Sequence, residues 1–159
     1  MQVRASRLQR GGEHRESLLS DSYWAFVKRQ LTPRQMEVCV LICDGLSDLE
    51  ISARLGCSWN TAKHHLQCAF RVLGVNDRAQ AMAVCFRDGI VDGSSRKPLP
   101  ASLNPSERRT AEGLLQALPY RQIADMHERA IGTIKNQARN VFDKCGVWSR
   151  YELIARFTA

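Results

Sequence analysis

Residues 58–75 read SWNTAKHHLQCAFRVLGV and have the period of a helix with two unlike faces. The polar face holds no carboxylate, whereas ordinary solvated helices mix acidic residues with basic ones. Short polar donors and cations are typical of a surface that approaches phosphates and base edges. The stretch therefore predicts a helix that packs on a core by one face and meets a nucleic acid by the other. The apolar face comprises Ala62, Leu66, Ala69, Phe70 and Leu73, and the polar face Asn60, Lys63, His64, Gln67 and Arg71.

The same pattern recurs 72 positions later, where residues 130–147 read AIGTIKNQARNVFDKCGV without a gap. A two-copy repeat indicates tandem domains rather than a solenoid, which needs at least three units. The apolar stripe of the second stretch is Ile134, Ala138, Val141, Phe142 and Cys145. The identities are Thr61 with Thr133, Lys63 with Lys135, Phe70 with Phe142, Gly74 with Gly146, Val75 with Val147 and Arg78 with Arg150.

Cap signals divide each copy of the repeat into four helices. Thr32 and Gln35 form a capping box around Pro33, and Ser47 with Glu50 forms the box that opens the next helix. Because no run alternates with period two, the predicted fold is all-α: two tandem four-helix helix-turn-helix domains and an extra N-terminal helix. The remaining start signals are Asp77 with Gln80 and, in the second copy, Asn104, Pro105, Glu107, Ser149 and Glu152.

Composition and charge set the predicted domain boundaries. Residues 1–30 form a basic N-terminal arm and helix, 31–88 the first domain, 89–102 a Gly-, Ser- and Pro-rich linker, and 103–159 a second, divergent domain. The arm is either a disordered terminus or a segment that follows phosphates or enters a minor groove. The net charge of +7 is compatible with nucleic acid. It is +3 over 1–30, −1 over 31–92, +2 over 93–102 and +3 over 103–159.

The six cysteines predict buried small hydrophobes rather than disulfides or a metal site. No C-x-x-C pair occurs, and the N-terminus lacks the apolar region of a signal peptide, which favours a reducing cytoplasm. No apolar run reaches the length of about 18 residues that a membrane span needs. His64, His65 and Cys68 share a helix, yet no carboxylate or fourth ligand is spaced to join them. The sequence therefore predicts no enzyme, no metal and no cofactor.

Residues 31–85 resemble the LuxR/GerE-type helix-turn-helix domain of bacterial transcription regulators, a four-helix module. The matching segments are LTPRQ-x-E at 31–37, DGLSDLEI at 44–51, S-x-x-TAK-x-H at 58–65 and LGVNDRAQA at 73–81. Residues 103–157 resemble it less, since Pro119 and Ala130 replace capping serines, His127 an inward leucine and Arg109 a glutamate.

The resemblance implies that the third helix of each domain enters a major groove. Matched residue by residue, it predicts base contacts for Lys63, His64 and Gln67 in the first domain and for Lys135, Asn136 and Arg139 in the second. Lys and Arg suit the O6 and N7 acceptors of guanine, and Gln and Asn suit adenine. Asn60, Thr61, His65, Arg71, Thr133 and Gln137 are predicted phosphate contacts.

A transcription regulator with double-stranded promoter DNA as its partner is the function that the resemblance implies. The alternative is an interaction protein that pairs with another LuxR-type regulator or with RNA polymerase. Family members usually form homodimers through the fourth helix, and two readers in one chain also permit a covalent pseudo-dimer. About thirty residues precede the first domain, too few for a ligand-binding domain, so no small-molecule ligand is expected.

Overall fold

The computed structural model describes residues 25–28 and 30–159, and this part of the chain is mostly helical. Helix α1 comprises the helical residues 25–28 and 30, the end of the predicted N-terminal helix; the predicted arm and the start of that helix lie outside the described residues. Two strands of two residues each are the departure from an all-α fold. The first set of helices is α2 (Pro33–Cys43), α3 (Asp48–Leu55), α4 (Trp59–Leu73) and α5 (Arg78–Arg87). The second set is α6 (Pro105–Leu115), α7 (Tyr120–Met126), α8 (Ile131–Cys145) and α9 (Arg150–Arg156), and the strands are β1 (Lys97–Pro98) and β2 (Phe157–Thr158).

Each helix of the second set begins 72 positions after its equivalent in the first. Local caps explain why the starts agree. The side chains of Thr32 and Asn104 each accept a hydrogen bond from the third helical N–H, and the side chains of Gln35 and Glu107 each accept one from the N–H of the cap residue. Both predicted capping boxes are thus confirmed, and the pair α4 and α8 has the same length of 15 residues.

The helices pack in the same way within each set. Helix α4 lies across α2 and α3, and α8 lies across α6 and α7. Arg78 donates a hydrogen bond to the carbonyl oxygen of Leu46, and Arg150 donates one to that of Leu118 at 2.8 Å. These four residues are equivalent in pairs, so the same contact ties the start of each fourth helix to the turn between the first two helices.

Backbone turns repeat even where the residue type does not favour them. Gly56, with φ of 61°, ends α3 in the left-handed region, and the equivalent Glu128 has φ of 51°. Gly45 at 85° is likewise matched by Ala117 at 59°. An L-residue in this region costs roughly 1–2 kcal/mol relative to the right-handed one. The second set therefore keeps the turn geometry of the first at an energetic cost.

Helices α5 and α9, the fourth of each set, pack against each other. The predicted linker is folded onto this contact rather than extended: β1 pairs in parallel with β2, and the N–H of Leu99 donates to the carbonyl oxygen of Thr158 at 3.1 Å. Arg96 lies 3.9 Å above the Phe86 ring and donates to the carbonyl oxygen of Phe157 at 3.2 Å. The predicted linker is consequently held by both fourth helices and does not span freely between the two sets.

The cysteines divide into two groups. Cys39, Cys43, Cys85 and Cys145 are buried, as predicted, and all six are free thiols. Hydrogen bonding to the Cys85 thiol, together with burial, raises the pKa of Cys39. The prediction of burial is wrong for Cys57 and Cys68, which are half-buried because they lie in the turn before α4 and at the border of its polar face.

Across the part of the chain that the structure describes, no helix is both long enough and apolar enough to cross a bilayer.

Candidate nucleic-acid interface

Helix α4 is fixed by a cap and a buried stripe. The N–H of Thr61 donates to the Ser58 hydroxyl at 3.1 Å, which satisfies one of the free N–H groups of the first turn. At its other end Gly74 adopts φ of 69° and stops the helix. The predicted stripe is buried at Ala62, Leu66, Ala69 and Leu73, with Phe70 half-buried, so the helix cannot rotate its polar face inward.

All three predicted base-contact residues of α4 are exposed: Lys63, His64 and Gln67. The ammonium of Lys63 lies 4.7 Å from the centre of the Trp59 ring, which holds the cation over the first turn. His64 Nε2 lies 3.6 Å from Cys68 Sγ. Within the described residues, no group of three or more His, Cys, Asp and Glu side chains is placed to hold a metal ion.

Helix α8 presents the second set of predicted base contacts. Lys135, Asn136 and Arg139 are exposed, and none of them takes part in a hydrogen bond or ion pair with other described residues. The first acidic residue of the helix is Asp143, three turns from its start. A positive face of this kind is available to an external anion, because no carboxylate among residues 25–28 and 30–159 forms an ion pair with it.

The start of α8 differs chemically from that of α4. Ala130 occupies the cap position and makes no side-chain cap bond, and Pro119 is equally unable to cap α7. The helix nevertheless begins at the position equivalent to the start of α4, because Ile134, Ala138 and Val141 are buried on the same stripe. Core packing therefore fixes the start of α8 although its cap hydrogen bond is missing.

The predicted phosphate contacts fall into two groups. Asn60, Thr61, Arg71 and Thr133 are exposed, whereas His65 and Gln137 are half-buried. The Thr110 hydroxyl donates to Gln137 Oε1 at 2.7 Å, which turns this amide toward α6 and leaves its N–H₂ as the donor for an external group.

Not every cation near α8 is available. The ammonium of Lys144 lies 2.7 Å from Glu107 Oε2, and this hydrogen bond, with the N–H of Asn104, lowers the pKa of the Glu107 carboxyl. Because Lys144 is held toward α6, its charge is compensated within the protein. Lys135 and Arg139 are then the cations of the exposed face.

Three exposed residues beside the helix starts were missed from sequence. Trp59 and Ile131 occupy the first position of α4 and α8 and are 46% and 41% exposed, so each of these helices begins with an apolar side chain in solvent. Such a group can contact a thymine methyl or a sugar. Arg129 is exposed in the turn that leads into α8. Trp59 and Ile131 are 72 positions apart and therefore equivalent, and this was the sequence signal that could have indicated them.

Comparison with known proteins concerns mainly the first set. Residues 29–85 match the family described as GerE, bacterial regulatory proteins, luxR family. The chain is 43% identical over 54 residues to a probable transcriptional regulatory protein, SgaR, of Hyphomicrobium methylovorum. That match covers 34% of this chain and 26% of the relative, so the chain spans about a quarter of the length of the curated relative it matches. No solved structure matches the chain significantly. Helices α2–α5 thus form a luxR-family helix-turn-helix domain, and α6–α9 lie outside the family match.

Proposed function

We propose that this protein is a DNA-binding transcription regulator in which α4 and α8 both read promoter DNA. The observation that carries the proposal is that two helices of equal length, equivalent in position, each expose a face without carboxylates over their first three turns. Within the proposal, residues 31–88 and 103–159 are two reading domains, 89–102 connects them and 1–30 is an appended arm and helix.

The luxR-family match supports the role of α4. In a helix-turn-helix motif the second helix lies in the major groove of DNA, where its side chains reach base edges. Here that helix is α4, and its outward side chains are Lys63, His64 and Gln67. Gln67 suits adenine and Lys63 suits guanine.

The role of α8 is supported by its chemistry and its setting. Lys135 and Arg139 stand one turn apart, the spacing that places both on one helix face. Arg139 can form two parallel hydrogen bonds to guanine O6 and N7, whereas Asn136 suits adenine. The turn before α8 keeps the left-handed residue of the first set at Glu128, which supports a functional turn of the same shape.

Binding of a random library of duplexes tests the proposal. We expect enrichment of a specific sequence, with an affinity above a nonspecific background that falls steeply with salt. Arg139→Ala should cost about 1–3 kcal/mol and relax the base preference at one position. Lys97→Ala is the matched control, because Lys97 is an exposed cation that belongs to β1 and to neither α4 nor α8. It should leave both the affinity and the preferred sequence close to those of the wild type.

A second function, docking of a protein partner, is favoured by a separate surface. Trp148 is 93% exposed just before α9, and Tyr151 is 44% exposed in the first turn of that helix. Aromatic side chains of this exposure are enriched at protein interfaces. RNA polymerase and another LuxR-type regulator are the candidate partners, and capture of either by the wild type but not by Trp148→Ser, in the presence of nuclease, would support this function.

The expected homodimer through the fourth helix has a competitor inside the chain. The faces that would join two chains are α5 and α9, and they pack on each other. A homodimer through those faces would require that internal contact to open.

A further inference from the structure

The contact between the two sets of helices joins equivalent elements. Helix α5 is the fourth helix of the first set and α9 the fourth of the second, and they lie against each other. When a repeated unit meets its neighbour through the same surface on both sides, the two are related by a two-fold axis; a head-to-tail arrangement joins different surfaces. Because the paired helices are equivalent, a two-fold axis relates α4 to α8.

The contact is also reciprocal in its details. On one side, the turn after α2 meets α9: a Cβ on Gly45 would lie 3.5 Å from that of Ala155. A groove of about 550 Å³ follows this seam, lined among others by Asp44, Leu46 and Ala155.

On the other side, the turn after α6 and helix α5 line one groove. A groove of about 420 Å³ is lined among others by Gln116, Leu118 and Ala83. These residues are the equivalents, 72 positions away, of Asp44, Leu46 and Ala155. Each fourth helix thus shares a groove with the turn between the first two helices of the other set, as a two-fold arrangement requires.

We propose, building on the proposed function, that one chain forms the complete two-fold reading unit and binds DNA half-sites in inverted order. A two-fold rotation preserves direction along its axis and reverses direction across it. In the arrangement that we propose, the exposed faces of α4 and α8 point along this axis toward the same DNA, and the two helices run in opposite senses across it. The DNA that fits is an inverted repeat, and its halves differ in sequence because Lys63, His64 and Gln67 face one half and a different trio faces the other.

The folded connection holds this arrangement together. Arg96 stacks on Phe86 of α5 and donates to the carbonyl oxygen of Phe157 just after α9. Pairing of β1 with β2 fastens the connecting segment to the end of the second set. Because these contacts join both fourth helices within one chain, a second chain is not needed to complete the unit.

The inference is tested by giving both helices the same reading residues. Lys63 and Lys135 are already identical, so the double substitution His64→Asn with Gln67→Arg copies the trio of α8 onto α4. All of these positions are exposed, and circular dichroism verifies the fold of the variant. Wild type and variant are each used to select sequences from random duplexes. We expect the wild type to select a site with unlike halves and the variant to select a palindrome.

Each outcome decides something. A direct repeat selected by the variant would overturn the inverted arrangement while leaving the proposed function standing. A single half-site selected by both proteins would overturn the inference and restrict reading to one helix. No enriched sequence with the wild type would overturn the proposed function and the inference together. The reverse copy, Asn136→His with Arg139→Gln, repeats the test on α8 and should also select a palindrome.

Stoichiometry and orientation give an independent measure. Light scattering should find one chain on one duplex of the selected site, and two chains per duplex would contradict a complete unit in one chain. Reversing one half of the wild-type site while keeping its spacing should weaken binding on the order of 100-fold, since several base contacts are lost at once. Equal affinity for the two arrangements would also overturn the inference.

Discussion

Glu128→Gly should stabilise the protein, although it deletes a side chain. Glu128 has φ of 51° and is exposed in the turn between α7 and α8. The left-handed region costs an L-residue roughly 1–2 kcal/mol, and glycine avoids this cost but loses about 0.5–1 kcal/mol more conformational entropy on folding. The expected gain in the free energy of unfolding is therefore up to about 1 kcal/mol. In a chain of this length that raises Tm by about 2–4 °C.

Two variants control for charge and for position. Glu128→Gln removes the negative charge and keeps the left-handed backbone, so Tm should stay close to that of the wild type. Gly56→Ala makes the opposite change at the equivalent turn, where an added Cβ meets nothing within 4 Å and strain alone is introduced. It should cost about 1 kcal/mol.

Calorimetry at neutral pH measures all three. An unchanged or lower Tm for Glu128→Gly, alongside a destabilised Gly56→Ala, would refute the equivalence of the two turns. An equal gain for Glu128→Gln would assign the effect to charge rather than to the backbone.

Three further predictions concern single contacts. Because hydrogen bonds from Lys144 and the N–H of Asn104 hold the pKa of Glu107 below its ordinary value of 4.5 in the folded protein, its stabilising contribution is fully present above that value and is lost as the pH falls through the lowered pKa. The Tm difference between wild type and Glu107→Gln should be largest near pH 7 and should shrink as the pH falls below 4.5. Ser58→Ala should cost about 1 kcal/mol through loss of the α4 cap, and Ala130→Ser should add up to about 1 kcal/mol by capping α8, as read from Tm. Arg96→Met should cost about 1–2 kcal/mol in denaturant unfolding, since charged hydrogen bonds to backbone carbonyls are lost, and no change would contradict the role of this residue in joining the fourth helices.

Short-range features of the fold follow from the sequence. Capping boxes and apolar stripes act within a few residues, so the starts of α2, α3 and α4 and the burial of Ala62 and Leu66 are predictable. The exposure of Lys63, His64 and Gln67 follows as the reverse side of the same stripe.

Long-range features do not follow in this way. The partners of Arg96 lie up to 61 residues away in the chain. The Gly-, Ser- and Pro-rich composition of residues 89–102 predicts a linker, because composition reports local preferences and not the pairing with β2. The hydrogen bond from Thr110 to Gln137 is equally invisible to periodicity, which places Gln137 on the outer side.

The left-handed residues illustrate an intermediate case. Neither Ala117 nor Glu128 favours positive φ, so residue type gives no signal. Alignment with Gly45 and Gly56, 72 positions earlier, does give one, because equivalent turns need equivalent backbones. The internal repeat therefore carries information about backbone geometry that a single copy would not.

In the proposed regulator, α4 and α8 contact bases at the same time. The most direct measurement compares the sequences selected by Lys63→Ala and by Arg139→Ala with the two-part site selected by the wild type. We expect each variant to lose base preference in a different half while keeping the other half. Loss confined to one half for both variants, or no effect of Arg139→Ala on any base, would contradict the claim.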